Sequence, residues 1–168
     1  MTAVQGSLPI LVEQDVVLAR QAARQAAVAC KLRLIDQTKL VTAASELARN
    51  AVIYGGGGSM EWSVVESGLR RGLRLVFIDH GPGIPDTAQA LTDGWSSGSG
   101  MGLGLSGSRR LVDEFELDSA PGKGTRLHMD LITIAPAGGY TRVATLKTGD
   151  NNDGTKHVLG GVQQRLGR

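Results

Sequence analysis

The chain has 168 residues, of which 41% are hydrophobic, and its net charge is only +2. These values predict a single globular domain with a real core, and they give no basic stripe that would indicate a nucleic-acid partner. Cys30 is the only cysteine, so the chain cannot form an intrachain disulfide. Because the sequence shows no leader-like segment and no apolar run long enough to span a bilayer, we expect a cytoplasmic protein without a membrane anchor.

The first elements predicted along the chain are a strand and a helix. The apolar run LPILV at residues 8–12 is typical of a strand. Asp15 is expected to cap the following helix, over residues 16–30, because an aspartate side chain can accept hydrogen bonds from the free N–H groups of a first turn. This helix is expected to pack on a sheet through one set of small and apolar residues: Val16, Ala19, Ala23, Ala27 and Cys30.

A second helix is predicted over residues 37–54, with Asp36 as its cap. Four apolar residues recur along it at spacings of four, three and four, which places them in one buried stripe: Leu40, Ala44, Leu47 and Ala51. The four glycines at residues 55–58 are expected to end the helix, because glycine has a low helix propensity and readily forms a C-cap.

The later part of the chain is predicted to be largely β-structure. Residues 60–66 and 74–79 are β-rich and flank a turn, which predicts an antiparallel hairpin. A short helical piece is expected at residues 87–93. The last two strands are predicted at residues 115–120 and 125–134, and in the second of these the alternation of apolar and polar residues is typical of a strand with one buried face.

The sequence changes character after Ala135. Glycine interrupts this segment repeatedly, so residues 1–134 are predicted to form the folded domain and residues 135–168 a Gly-rich extension. Two arrangements stay open for the extension: an added strand at residues 141–146, or a loosely ordered tail.

Glu46 and Asn50 are the first candidate functional residues. They are four apart on the second predicted helix, hence on one of its faces, and they adjoin its buried stripe. This position predicts that both side chains point toward the protein or a cleft. The alternative is an exposed polar pair, since most polar residues on helices are solvated.

Asp79 is a second candidate, because it ends an apolar strand and is followed by Gly81, Pro82 and Gly83. An aspartate there can accept a hydrogen bond from the amino group of a ligand, while the glycines would let a flat ring approach the backbone. The alternative is an ordinary Pro/Gly turn capped by the aspartate.

A stretch rich in glycine and serine, residues 95–104, then leads into a helix-like segment that reaches Glu114. The free N–H groups and the positive dipole end of a helix start favour phosphate, so this stretch predicts a phosphate-binding loop. A glycine-rich loop alone is weak evidence, and the alternative is a mobile surface loop.

Four segments, taken in order, resemble the N, G1, G2 and final glycine-threonine boxes of the GHKL ATP-binding superfamily. They are ELARNAVIYG at residues 46–55, DHGPGIP at 79–85, GSGMGLGL at 98–105 and GKGT at 122–125. Within the superfamily the chain is most similar to the small serine/threonine kinases of bacterial anti-sigma pathways, and among these to the RsbT-type switch kinases of the stressosome. The resemblance covers residues 8–134.

The resemblance implies an α+β fold. It would be a two-layer α/β sandwich of the GHKL (Bergerat) type, with a mixed, mostly antiparallel sheet, helices on one face and an ATP lid. The ligands implied are ATP and Mg²⁺.

The resemblance also implies a role for each matching residue. Glu46 would be the general base and Asn50 the Mg²⁺ ligand, while Asp79 would accept a hydrogen bond from the adenine amino group. Three further residues would admit or support the adenine ring: Gly81, Gly83 and Thr125. The lid would offer N–H groups to the phosphates, and its residues are Gly98, Gly100, Met101, Gly102, Leu103 and Gly104.

The function implied by the resemblance is an ATP-dependent protein serine/threonine kinase in a partner-switching stress response. Its substrate would be a STAS-domain antagonist, and phosphorylation would free the kinase to bind another partner, commonly a phosphatase. One alternative is an anti-sigma factor whose ATP site sets its affinity for a sigma factor. Another is a detached histidine-kinase catalytic domain, although the sequence shows no helical dimerisation segment with a phosphoacceptor histidine.

Overall fold

The computed structural model describes residues 4–92, 104–134 and 156–159, and the strands among them form one sheet. The strands are β1 (Gly6–Ile10), β2 (Gly58–Ser67), β3 (Arg70–Asp79), β4 (Glu114–Ser119), β5 (Thr125–Ile134) and β6 (Lys156–Leu159). Their order across the sheet is β1-β2-β3-β5-β4-β6, and every pairing between them is antiparallel. The predicted α+β class is confirmed, and the described strands contain no parallel pair where a mixed sheet was expected.

The helices of the described residues are α1 (Glu13–Ala29), α2 (Leu34–Ile53), α3 (Thr87–Ala90) and α4 (Gly104–Leu111). Helices α1 and α2 pack on each other and on the sheet, and alternate residues of the central strands share their core. The strand residues of this core include Leu73, Leu75, Phe77, Leu127, Met129 and Leu131. Within the described part of the chain, no helix has the length and apolar character that crossing a membrane requires.

Helix α1 begins earlier than predicted. It starts at Glu13, so Asp15 lies in its first turn and is not the N-cap residue. The Asp15 carboxylate instead accepts hydrogen bonds from the backbone N–H groups of Leu11 (2.8 Å) and Val12 (3.1 Å). The aspartate was therefore a correct sign of a helix start, but it acts by reaching back to the residues that precede the helix.

Helix α2 shows the same displacement at its start. It begins at Leu34, and the Asp36 carboxylate accepts a hydrogen bond from Nε of Arg33 at 2.8 Å instead of capping the helix. Its end agrees with the prediction, because Gly56 and Gly57 follow with φ angles of +71° and +107°. Such backbone conformations are unfavourable for residues with a Cβ atom, so this glycine run turns the chain into β2.

The strands agree with the prediction in number and order up to β5. Strand β5 has the predicted bounds. Strand β1 begins two residues earlier than expected, and β4 begins one residue earlier. Strands β2 and β3 are longer than predicted and are joined by a tight turn at Gly68, whose φ is +62°. Helix α3 covers the first four residues of the predicted helical piece.

In the C-terminal extension the structure shows β6, which pairs with β4 at the edge of the sheet. A strand at these residues was not predicted from the sequence. The strand considered at residues 141–146 lies outside the described residues, and the domain boundary at residue 134 stays a prediction.

The face of the sheet opposite the core carries a row of charged side chains. Glu114, Asp130 and Arg74 are neighbours across β4, β5 and β3. Arg74 donates Nε and Nη2 to the two carboxylate oxygens of Asp130, each at 2.8 Å. Glu114 is only 5% exposed, and burial, together with the nearby charge of Asp130, raises its pKa to about 7. This face therefore contains a carboxyl group that can titrate near neutral pH.

Candidate functional site

Helix α2 positions the first two candidate residues, Glu46 and Asn50. One helical turn separates them, which is about 6 Å along the helix axis. Glu46 is 6% exposed and Asn50 is half-buried. The alternative of an exposed polar pair is therefore wrong for Glu46, whose carboxylate lies inside the protein beside the apolar stripe of α2.

The Glu46 carboxylate contacts the start of helix α4. Its Oε2 accepts a hydrogen bond from the backbone N–H of Gly104 at 3.2 Å, and its Oε1 lies 3.8 Å from Nη1 of Arg49. Gly104 has a φ of +72°, a conformation that favours glycine. In this structure the Gly104 N–H, which was expected to face a phosphate, is bound to Glu46. The other predicted lid residues lie outside the described residues: Gly98, Gly100, Met101, Gly102 and Leu103.

Asn50 has a side chain that is suited to a metal ligand. Its carboxamide forms no hydrogen bond with any residue that the structure describes, while its backbone carbonyl accepts from the N–H groups of Tyr54 and Gly55. The described residues contain no group of three His, Cys, Asp or Glu side chains that could hold a metal. Mg²⁺ usually binds through one or two protein oxygens together with water and substrate phosphates, so a single amide oxygen fits that ion.

Asp79 lies where the end of α2 meets the end of β3. A Cβ atom on Gly55 would lie 2.5 Å from Cγ of Asp79, and one on Gly81 would lie 2.7 Å from Cα of Gly55. Only glycine fits at these two positions, so the backbone after α2 packs directly against the aspartate. Oδ1 of Asp79 accepts from the N–H of Gly81 at 3.0 Å.

The environment of Asp79 affects the pKa of its carboxyl group in two opposite directions. Burial raises the pKa of this carboxyl group, whereas hydrogen bonds from the backbone N–H groups of Gly81 and Thr125 favour the ionised form. A half-buried carboxylate that is held by backbone donors can accept a further hydrogen bond in a fixed direction, which suits recognition of an amino group.

Gly83 and Gly124 complete this end of the site. Both have positive φ angles, +80° and +75°. A Cβ atom on Gly83 would overlap the carbonyl oxygen of Ala120, and one on Gly124 would overlap the carbonyl oxygen of Asp79. The close approach that Gly83 permits in the structure is thus between two parts of the backbone, where the sequence analysis expected a ligand ring.

Ser119 is a site residue that the sequence analysis missed. It is 4% exposed, and its hydroxyl donates to the carbonyl oxygen of Gly124 at 2.8 Å and accepts from the N–H of Ile84 at 2.8 Å. The hydroxyl oxygen of Thr125 lies 2.9 Å from the hydroxyl oxygen of Ser119. Ser119 therefore joins the loop after Asp79 to the turn before β5. A serine at a strand end is an ordinary feature of a sequence, and no nearby residue signals these distant partners.

The candidate residues are arranged along α2. Gly55 follows Glu46 by nine positions, which is roughly 13.5 Å along a helix axis. Asn50 lies between them. At one end is the acidic strand end with its supporting turn, and at the other is a buried carboxylate in contact with α4. An elongated ligand with an amino-bearing ring could be recognised at the first end and react at the second.

The family described as Histidine kinase-, DNA gyrase B-, and HSP90-like ATPase matches residues 35–134, which is more than half of the chain. The protein belongs to this family, and the resemblance to GHKL proteins predicted from the four boxes is confirmed. Its similarity to a particular member is also high: it is 42% identical over 123 residues to the serine/threonine-protein kinase RsbT of Bacillus subtilis (strain 168). That match covers 73% of this chain and 92% of RsbT.

A solved structure also resembles the fold. It is the crystal structure of the RsbU and RsbW domains of a Mycobacterium tuberculosis protein, with a TM-score of 0.53 and 20% sequence identity. The match covers 77% of this chain but only 34% of the longer one. At this identity the likeness concerns the fold alone, and it agrees with the α+β architecture described above.

Proposed function

We propose that the protein is an ATP-dependent protein serine/threonine kinase. The similarity to RsbT over most of both chains supports this activity. The observation in the structure that carries the proposal is the buried Glu46 carboxylate, one turn from Asn50 and in contact with the first residue of α4. A carboxylate so placed is suited to act as a general base beside a bound nucleotide.

In this proposal the nucleotide lies along α2. Asp79 accepts a hydrogen bond from the adenine amino group, and Thr125, held by Ser119, supports that end of the pocket. The triphosphate extends toward Asn50, whose amide oxygen would be a ligand of Mg²⁺. The metal would supply charge neutralisation for the phosphates.

The transfer step needs one proton acceptor near the terminal phosphate. Glu46 removes the proton from the hydroxyl group of the acceptor protein, and the hydroxyl oxygen forms a bond to the γ-phosphorus. The bond from that phosphorus to the bridging oxygen breaks, and its electron pair leaves with ADP. Positioning and electrostatic stabilisation contribute most of the rate in phosphoryl transfer of this kind.

The acceptor proposed is a STAS-domain protein of a partner-switching pathway, with a phosphatase as the partner bound after phosphorylation. The resemblance of the four sequence boxes to the RsbT-type switch kinases supports this choice. The direct test is a transfer assay with labelled ATP and the STAS-domain proteins of the same organism. We expect label on serine or threonine of one of them, in the presence of the wild-type kinase.

The assay has a matched control within the chain. Glu46→Ala should abolish labelling, whereas Glu61→Ala, which removes an exposed carboxylate on β2, should leave it unchanged. Acid-labile label on histidine would instead indicate a histidine-kinase domain. Absence of transfer to every STAS protein, together with capture of a sigma factor, would show an anti-sigma factor and contradict the proposal.

A further inference from the structure

Residues 135–155 connect two strands whose joined ends lie far apart on the sheet. The segment leaves β5 at Ile134 and enters β6 at Lys156, which is opposite Asp118 on β4. Asp118 pairs with Arg126, eight residues before Ile134 on β5, so the two ends are about 27 Å apart along the strands and about 10 Å apart across them. The 21 residues of the segment, which reach roughly 70 Å when fully extended, must return along the length of the sheet.

The strand directions indicate which face of the sheet this segment crosses. Strands β3 and β4 run parallel with β5 between them, and their connection includes α4, which packs on α2 on the helical face. Strands β5 and β6 are likewise parallel with β4 between them and are displaced in the same direction across the sheet, but they point the opposite way. Connections between parallel strands of one sheet are right-handed in about 98% of cases. Two connections of the same hand must here lie on opposite faces, so the segment is expected on the outer face.

Burial on the outer face agrees with this path, although α1, α2 and α4 pack on the other side. Asp130 is 1% exposed, and Glu114 and Glu116 are each 5% exposed, values that acidic side chains on an open sheet face do not normally have. Glu61, on the same face of β2, is exposed. The covered area therefore includes β4 and β5, which lie between the two ends of the segment or form one of them.

The charges of the segment and of this face are complementary. Side chains alternate along a strand, so β4 places three carboxylates on the outer face: Glu114, Glu116 and Asp118. Oε2 of Glu114 is buried without a hydrogen-bond partner among the described residues. The charged residues of the segment before Asp150 are both basic, Arg142 and Lys147. Such side chains bind carboxylates through charge-assisted hydrogen bonds.

We propose that residues 135–155 cross the outer face of the sheet as an intramolecular strap, with Arg142 and Lys147 over the carboxylates of β4. The strap makes this face an internal interface that other proteins cannot occupy. It ends at β6, which lies against α3, the helix that follows the loop after Asp79. The proposal does not depend on the proposed kinase function, and neither test below requires ATP or an acceptor protein.

Photocrosslinking in the full-length chain maps the path of the strap. The photoreactive residue p-benzoylphenylalanine replaces Thr145, the middle residue of the segment, and mass spectrometry identifies the peptides that irradiation joins. Crosslinks to β4 or β5 are expected. The same residue in place of Gln25, an exposed position on α1, should give no crosslink to the strap. Crosslinks from position 145 to α1 or α2, or none to the sheet, would overturn the proposal.

Thiol labelling measures how well the strap shields the face. In the full-length chain, Glu116→Cys should react at least about tenfold more slowly than Glu61→Cys, and the native Cys30 is buried. Adding Arg142→Gln/Lys147→Gln should accelerate labelling of Glu116→Cys about tenfold or more, because the strap loses its charged contacts.

The control for this acceleration is Arg165→Gln/Arg168→Gln, which removes the same charge from residues beyond β6 and should leave the labelling rate of Glu116→Cys unchanged. Equal labelling rates at the two introduced cysteines would show an open face and overturn the proposal. An unchanged rate in Arg142→Gln/Lys147→Gln, or equal acceleration by both double variants, would also overturn it.

Discussion

At the scale of single residues, the Ser119 hydroxyl connects three backbone segments at one end of the site. It binds Ile84 in the loop after β3, Gly124 in the turn before β5, and the Thr125 hydroxyl on β5 itself. We therefore expect Ser119 to position the proposed pocket and not to react. Residues of this kind determine affinity for a ligand through the geometry that they impose on others.

Ser119→Ala should remove these hydrogen bonds and leave the N–H of Ile84 without its partner. We expect a loss of about 1–3 kcal/mol in the free energy of unfolding, the usual cost of leaving buried polar groups unsatisfied. ATP affinity should also fall, while the transfer rate at saturating ATP stays close to that of the wild type. Denaturant unfolding and ATP titration check both effects.

The control for Ser119 is Ser63→Ala, which removes a half-buried hydroxyl on β2 outside the site. An ATP affinity in Ser119→Ala that equals the wild-type affinity would contradict a positioning role, even if the protein were less stable.

The sequence and the structure differ in what they reveal about individual residues. Glu46, Asn50 and Asp79 stood out in the sequence because helix spacing and strand ends have local signatures. Ser119 did not, because the N–H of Ile84, one of its main partners, is 35 residues away along the chain. The close packing of Gly55 on Asp79 was also hidden, since nothing local to a helix end predicts which strand it will meet.

At the scale of elements, the turn between β4 and β5 offers a matched pair of glycines. Gly122 and Gly124 have similar φ angles, +77° and +75°. A Cβ atom on Gly122 would have no neighbour within 4 Å, whereas one on Gly124 would overlap the carbonyl oxygen of Asp79. The two substitutions therefore separate backbone strain from a steric clash with the site.

Gly122→Ala should destabilise the protein by about 1–2 kcal/mol, the cost of a left-handed backbone for a residue with a Cβ atom, and should leave ATP affinity unchanged. Gly124→Ala should destabilise it more and also weaken ATP binding, because Asp79 must move. Thermal unfolding and isothermal titration with ATP give the comparison. Similar ATP affinities in the two variants would show that the turn does not shape the pocket.

The outer face of the sheet gives a prediction on pH. Glu114 has a native pKa of about 7, compared with its usual value of 4.5, which we take for the unfolded chain. Between these values the native state binds the proton more tightly than the unfolded state, so stability falls as the pH rises from about 4.5 to 7. Above pH 7 the buried carboxylate is charged in both states, and its full cost to the native state applies.

Glu114→Gln should remove this titration. Relative to the wild type, the variant should become more stable as the pH rises through this window, by on the order of 1–3 kcal/mol above pH 7. Denaturant unfolding at about three pH values between about pH 5 and 8 measures the difference in unfolding free energy between the variant and the wild type. Glu61→Gln, at an exposed position on β2, is the control. A difference from the wild type that is the same at every pH would contradict the shifted pKa of Glu114.

The helices and strands were predicted from the sequence with different accuracy. The alanine-rich and leucine-rich stripes of α1 and α2 are periodic over several turns, so their existence was clear and only their first residues were displaced. Strand β5 alternates regularly and had the correct bounds. Strand β6 has only four residues among many glycines, and such a strand depends on its pairing with β4, a tertiary contact that local sequence does not encode.

At the scale of the whole molecule, the antiparallel sheet and helix α2 separate two tasks. Asp79, Ser119 and Thr125 lie at strand ends, and hydrogen bonds join Ser119 to the neighbouring loop and to Thr125, an arrangement suited to binding a ring. Glu46 lies about two and a half helical turns before Gly55, in contact with the start of α4. We therefore expect nucleotide binding and phosphotransfer to depend on different parts of one site.

The fold class followed from the order of the four boxes, and the family match confirms it. The contact of Glu46 with the start of α4 did not follow, because it requires two helices that are distant in the sequence to pack together. Sequence periodicity identifies the buried face of each helix, but it does not give the angle at which two helices meet.

The most direct test of the account measures ATP affinity and phosphotransfer in parallel for Glu46→Ala and Asp79→Asn. Glu46→Ala should lose transfer by a factor of about 10²–10⁴, the usual contribution of a general base, with ATP affinity largely retained. Asp79→Asn should weaken ATP binding about tenfold or more, through loss of a charged hydrogen-bond acceptor. Equal loss of ATP binding in both variants would contradict this division between the two ends of α2.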